Sequence, residues 1–69
     1  MNTVYNGKKL RELRGDKTAR EVSEAVGISE SALLMYERGD RNPRDDIKIS
    51  LAKYYGVGIA DIFYADNFT

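Results

Sequence analysis

Residues 26–29 read Val-Gly-Ile-Ser, and this short stretch limits the chain more than any other. Gly27 is a helix stop, because glycine takes positive φ at little cost. Ser29 is a helix cap, because its hydroxyl accepts a hydrogen bond from an amide of the following turn. Only Ile28 stands between stop and cap, where it plugs the turn. Two helices therefore meet at a very tight corner, and whatever lies on either side must fold around it.

The flanking sequence supplies both helices. Thr18 followed by Glu21 is a capping box that starts the one before the turn, with Val22 and Val26 one turn apart on its inward side. The one after it runs from Ser29 to a second stop at Gly39. This is the spacing of a helix-turn-helix unit. Upstream, Asn6 is a plausible cap for a first helix to Arg14, with Tyr5 and Leu10 placed as a hydrophobic staple, Leu10 and Leu13 as its buried stripe and Gly15 as its stop. Downstream, "GDRNP" is a polar loop in which Pro43 holds the preceding residue extended. Asp45 or Asp46 opens a fourth helix through Tyr55, with Ile47, Leu51, Tyr54 and Tyr55 on one face. After Gly56, Gly58 caps a short fifth helix with Ile59, Ile62 and Phe63 inward. No segment reads as a strand. The expected fold is all-α, a compact bundle of about five short helices in one domain over residues 1–69, with its core at about 6–63 and a tail at 64–69.

Composition narrows the function. The 69 residues contain no cysteine and no histidine, so the chain lacks thiolate ligands, disulfides and the commonest general base. No serine has a base positioned to activate it, and an enzyme is not expected. No apolar run is long enough for a membrane span and the N-terminus has no secretory pattern, which makes a cytoplasmic location the expectation. Eleven basic and eleven acidic residues cancel. They are unevenly spread: Lys8, Lys9, Arg11, Arg14, Lys17 and Arg20 crowd the first twenty positions against Glu12 and Asp16. Residues 45–69 carry Lys48 and Lys53 against Asp45, Asp46, Asp61 and Asp66. One end suits a polyanion.

The third helix holds Ala32, Leu33, Leu34, Met35 and Tyr36 in succession. At about 100° per residue these cannot share a face. Ala32, Leu33, Tyr36 and Glu37 gather on one side, the core side. Ser31, Leu34, Met35 and Arg38 gather on the other, with Glu30 at its edge. An outward leucine–methionine pair on a small domain is either a partner surface or an accident of sequence that the fold tolerates.

"TAREVSEAVGISESALLMYERGDRNP" resembles the Cro and phage-repressor (XRE) family of helix-turn-helix proteins, through Thr18, Glu21, Val22, Gly27, Ile28, Ser29, Leu33, Tyr36, Glu37, Gly39 and Pro43. "LAKYYGVGIADIF" resembles that family's last two helices, so the likeness covers residues 6–63. It implies a transcriptional regulator, most simply a repressor, of phage or mobile-element type or else a small bacterial regulator, binding operator DNA as a two-fold dimer without a cofactor. By position, Ser29, Glu30, Ser31, Leu34 and Met35 would face base edges in the major groove. Lys17, Thr18, Arg20, Arg38, Arg41, Asn42 and Arg44 would lie near phosphates, and Arg14 would pair with Glu37. Phe63, Tyr64 and Phe68 are the candidates for a homodimer contact.

The chain departs from the family in three places. "GDK" between Arg14 and Thr18 is about two residues short, which implies an early end to the first helix. Ala19 stands where a glutamine often braces the reading helix against a phosphate. The reading face is poor in Arg, Gln and Asn, the side chains that make bidentate base contacts. Modest affinity, or reading by thymine methyl contacts and DNA shape, is the expected consequence. The rival expectation is a protein-interaction module on the same scaffold, such as an antitoxin-like or anti-repressor partner, burying Leu34 and Met35 against protein.

Overall fold

A computed structural model of the chain describes residues 7–64, all in helices and short connections. The helices are α1 (Lys8–Arg14), α2 (Ala19–Val26), α3 (Glu30–Arg38), α4 (Asp45–Tyr55) and α5 (Ile59–Phe63). Among the described residues there is no strand. The core takes one or two side chains from every helix: Leu10, Val22, Leu33, Tyr36, Leu51, Ala52 and Ile62. Burying each large one removes about 1.5–3 kcal/mol worth of apolar surface from water. α3 lies centrally, packed on α1 and α2, while α4 packs on α2 and α5.

The stops work by one repeated device. Gly27, Gly39 and Gly56 each adopt left-handed φ. In each case the next residue's amide turns back to a carbonyl five residues earlier: Ile28 to Ser23, Asp40 to Met35 and Val57 to Ala52, at 3.0, 3.0 and 3.1 Å. These bonds satisfy carbonyls that the helix itself leaves open. Ile28 and Val57 then pack their side chains against the core, so the stop also anchors the following segment.

Thr18 Oγ1 accepts from the Glu21 amide at 3.0 Å and starts α2. Val22 is buried and Val26 packs against the core. Ser23 is also buried, with its hydroxyl donating to the Arg20 carbonyl at 3.0 Å. α1 ends at Arg14, ahead of the short loop, as the missing residues imply.

One boundary differs from the sequence reading, and α4 opens at Asp45 and closes at Tyr55 as expected. α1 begins at Lys8 with Gly7 at the cap position and no side-chain cap. Asn6 and Tyr5, the expected cap and staple, lie outside the described residues. Gly7 is buried against the end of α3, where an added Cβ would overlap the carbonyl oxygens of Tyr36 and Glu37. At α4 the cap position belongs to Arg44, and both aspartates fall inside the first turn. There their charge opposes the positive end of the helix, and Asp46 Oδ1 accepts from the Ile47 amide at 3.0 Å.

Candidate nucleic-acid interface

α3 is divided along its length. Leu33, Tyr36 and Glu37 are buried and Ala32 packs on the core. Glu30, Ser31 and Arg38 are exposed. Leu34 and Met35 are half-buried and stand outside the set of hydrophobic side chains packed against the core. An apolar pair thus sits on the outward flank beside a hydroxyl and a guanidinium.

Ser29 has a structural task at this face, since its Oγ accepts from the Ala32 amide at 3.0 Å and caps α3. Its hydroxyl hydrogen remains available to an external acceptor. Thr18 is placed the same way at α2.

Beside the start of α3 lies an open groove of about 450 Å³. Ile28, Ser29 and Ala32 form one wall, and Arg41, Asn42 and Arg44 from the α3–α4 loop form the other. Pro43 is buried, so it holds this loop against the bundle while its polar neighbours remain exposed. The structure therefore brings three of the expected phosphate-binding residues to the first turn of α3.

The expected cations are all exposed, but three of them carry ion pairs. Arg20 Nε meets Glu24 Oε2 at 3.1 Å, Arg38 Nε meets Asp40 Oδ2 at 2.9 Å, and Arg44 Nη2 meets Asp46 Oδ2 at 3.5 Å. Among the described residues Arg41 and Lys17 have no such partner. Ala19 is half-buried against the core, so its methyl group serves packing at a position where a longer side chain would reach outward.

Behind the face, Arg14 and Glu37 form a forked pair, Nε to Oε2 at 2.7 Å and Nη2 to Oε1 at 3.1 Å. Arg14 Nη1 also donates to the Lys17 carbonyl at 2.9 Å. One guanidinium thereby ties α1 to α3 and closes the short loop at residues 15–17. The hydrogen bond with Glu37 is the chief reason that the Arg14 pKa is raised. Nearby, the buried Tyr55 hydroxyl has no hydrogen-bond partner among the described residues. Burial first, and the Glu37 charge second, push its pKa up to about 12.

The profile of the helix-turn-helix family matches residues 8–62, nearly all of the described chain. The protein belongs to this family, of the Cro and phage-repressor type. One similar helix-turn-helix protein is the cryptic phage CTXphi transcriptional repressor RstR of Vibrio cholerae, 38% identical over 56 residues. The match takes in 78% of this chain and 50% of the repressor, so the chain spans half of that relative's length. An uncharacterised helix-turn-helix-type transcriptional regulator of Methanocaldococcus jannaschii is 31% identical over 51 residues, 72% of this chain and 77% of its own. The crystal structure of the clp gene regulator ClgR from C. glutamicum superposes with a TM-score of 0.71 at 34% identity, covering 81% of this chain and 75% of that one.

In this helix-turn-helix domain the contact between α4 and the end of α5 is built around Lys48, which the sequence reading counted only as a charge. It is buried on α4, with its ammonium 5.4 Å from the Phe63 ring centre, 5.3 Å from that of Tyr64 and 3.3 Å from the Tyr64 hydroxyl. Two ring faces and an oxygen stabilise the charge. Phe63 is half-buried against the core, Tyr64 is 39% exposed, and Phe68 lies outside the described residues. Ile49, next to Lys48, is 50% exposed, an apolar residue also absent from the sequence reading. Its signal was present, since it falls between the two inward positions Ile47 and Leu51 of the same helix.

Proposed function

We propose that this chain is a sequence-specific DNA-binding transcriptional regulator, in its simplest mode a repressor, which inserts the outward flank of α3 into the major groove. The observation that carries this reading is the division of α3: Leu33, Tyr36 and Glu37 belong to the core, while Leu34 and Met35 stand outside it beside Ser31 and Arg38. Leu34 and Met35 offer apolar contact to thymine methyl groups, Ser31 a hydroxyl to base edges, and Glu30 an acceptor for a cytosine amino group. Arg41, Asn42 and Arg44 meet the backbone along the groove beside α3, and Arg38, Arg20, Lys17 and Thr18 add to that contact. The names of the phage repressor and the archaeal regulator favour the same reading.

Two copies related by a two-fold axis present two such helices, about 34 Å apart for successive turns of DNA. Tyr64 and Phe68 are the residues assigned to that contact, and exposed Ile49 on α4 offers further apolar surface. Phe63 contributes from beneath, through its packing with Lys48. Among the described residues no helix is long and apolar enough to cross a membrane, in keeping with a cytoplasmic regulator. The domain acts by binding and not by catalysis.

The zero net charge favours one other reading, a module that buries Leu34 and Met35 against a protein. A salt titration with duplex DNA separates the two. Phosphate contact predicts a linear fall of log affinity with log salt, with a slope of about −0.9 for each phosphate engaged. Undetectable DNA binding at low salt, in a folded sample, supports the protein partner instead.

A further inference from the structure

Three arginines placed along the proposed DNA face are each bound to a carboxylate of their own chain: Arg20 to Glu24, Arg38 to Asp40 and Arg44 to Asp46. More than half of every one of these side chains is open to solvent. Such exposed pairs contribute little to folding. They do matter to an approaching polyanion, because a phosphate must draw the arginine from a carboxylate that stays within a few ångströms and repels it.

We propose that Asp40 and Asp46, with Glu24 at the edge of the face, are specificity-determining residues that hold down the affinity of this domain for arbitrary DNA. The inference rests on the DNA-binding reading and deepens it. The positions are informative. Asp40 immediately follows the Gly39 stop, and its backbone is fixed by the amide bond to the Met35 carbonyl at 3.0 Å. Its carboxylate is thus held at the end of the reading helix, with Arg38 Nε at 2.9 Å. Asp46 is fixed in the first turn of α4, two residues from Arg44 on the groove. Arg41, between these pairs, has no carboxylate partner among the described residues and remains ready for the first phosphate.

The chemistry gives the domain a low background. Phosphate contacts supply most non-specific affinity and carry no sequence information directly. When each arginine–phosphate contact also breaks an internal ion pair and leaves a carboxylate uncompensated, the counterion gain is partly returned. Binding to arbitrary sequence weakens, and the difference must come from the base contacts of Ser31, Leu34 and Met35. The internal pairs thus offset three of the five cations that the proposed DNA face presents.

Asp40→Asn and Asp46→Asn test this, since asparagine keeps the shape and the acceptor oxygen that each position uses. The probe is a mixed-sequence duplex of about 30 base pairs, followed by fluorescence anisotropy between about 50 and 200 mM salt. Each substitution is expected to raise affinity about two- to five-fold near 0.1 M salt. Each should also steepen the log–log salt slope by up to about 0.9. Glu12→Gln removes the same charge from an exposed α1 residue that pairs with none of these arginines and is expected to leave the slope unchanged. Binding gained only in the aspartate variants also supports the proposal. Wild-type binding with aspartate variants indistinguishable from wild type or from Glu12→Gln overturns it and leaves the DNA reading intact. No binding by any folded variant at the lowest salt overturns both.

Discussion

A Cβ on Gly7 would collide with the backbone oxygens of Tyr36 and Glu37, and backbone cannot step aside as a side chain can. The φ of Gly7 is −81°, open to any residue, so this glycine is required by closeness and not by conformation. Gly7→Ala is expected to destabilise the fold by about 2 kcal/mol or more, read as a shift in the urea midpoint. Tyr55 makes the opposite kind of prediction. Its hydroxyl is buried without a partner, so Tyr55→Phe at neutral pH should be neutral or stabilising by up to about 1 kcal/mol. The pH dependence has a definite sign. A free tyrosine ionises near pH 10, and folded Tyr55 near 12. Between about pH 10 and 12 the unfolded chain has released a proton that the native chain still holds, so stability falls as pH rises through that window. Melting curves across it should fall less steeply for Tyr55→Phe than for wild type. Neither residue's role was legible in the sequence. A glycine one position after an expected cap looks like a minor flaw, and a tyrosine on an inward face looks satisfied, because the atoms that decide both cases come from helices distant in the chain.

The helices themselves were legible because local chemistry closes them. Thr18 and Ser29 cap α2 and α3 through their own side chains, and Gly27, Gly39 and Gly56 end α2, α3 and α4 in left-handed conformations. The inward and outward sides of α3 followed from the period of the helix alone. The boundary slipped where no side chain does the capping, at Gly7. Lys48 was missed for a related reason: a lysine in the middle of a helix pattern reads as solvent-facing, and only the arrival of α5 gives its charge the rings of Phe63 and Tyr64. The arginine–carboxylate pairs were partly visible, since Arg20 and Glu24 lie one helical turn apart, but the two-residue spacing of Arg38–Asp40 and Arg44–Asp46 has no such rule. The pair between helices, Arg14 with Glu37, is the bond to test at this scale. Its side chains are only 12% and 4% accessible, so removing one partner strands the other. Arg14→Ala and Glu37→Gln should each cost about 3 kcal/mol, and the double variant distinctly less than the sum. Additive losses in chemical denaturation would mean that the two charges do not support each other.

Taken whole, the molecule packs α1 and α2 against α3 and leaves the outward flank of α3 outside its core. α1 fixes α3 through Arg14 and through the close approach at Gly7, while α2 meets it across the tight turn. The buried loop residue Pro43 keeps Arg41, Asn42 and Arg44 beside the start of that helix. The sequence could indicate which flank of α3 is left over, but not how the loop cations gather beside it, because that arrangement depends on where α4 packs. Selection of binding sites from a random duplex pool tests the central claim most directly, run in parallel with wild type, Met35→Ala and Arg41→Ala. Wild type is expected to enrich a two-fold symmetric sequence. Met35→Ala should change the preferred base at one position in each half-site, while Arg41→Ala weakens binding without altering the preference. The same enriched sequence from Met35→Ala and wild type, with only Arg41→Ala selecting a different one, would contradict the assignment of the outward flank of α3 as the surface that reads bases.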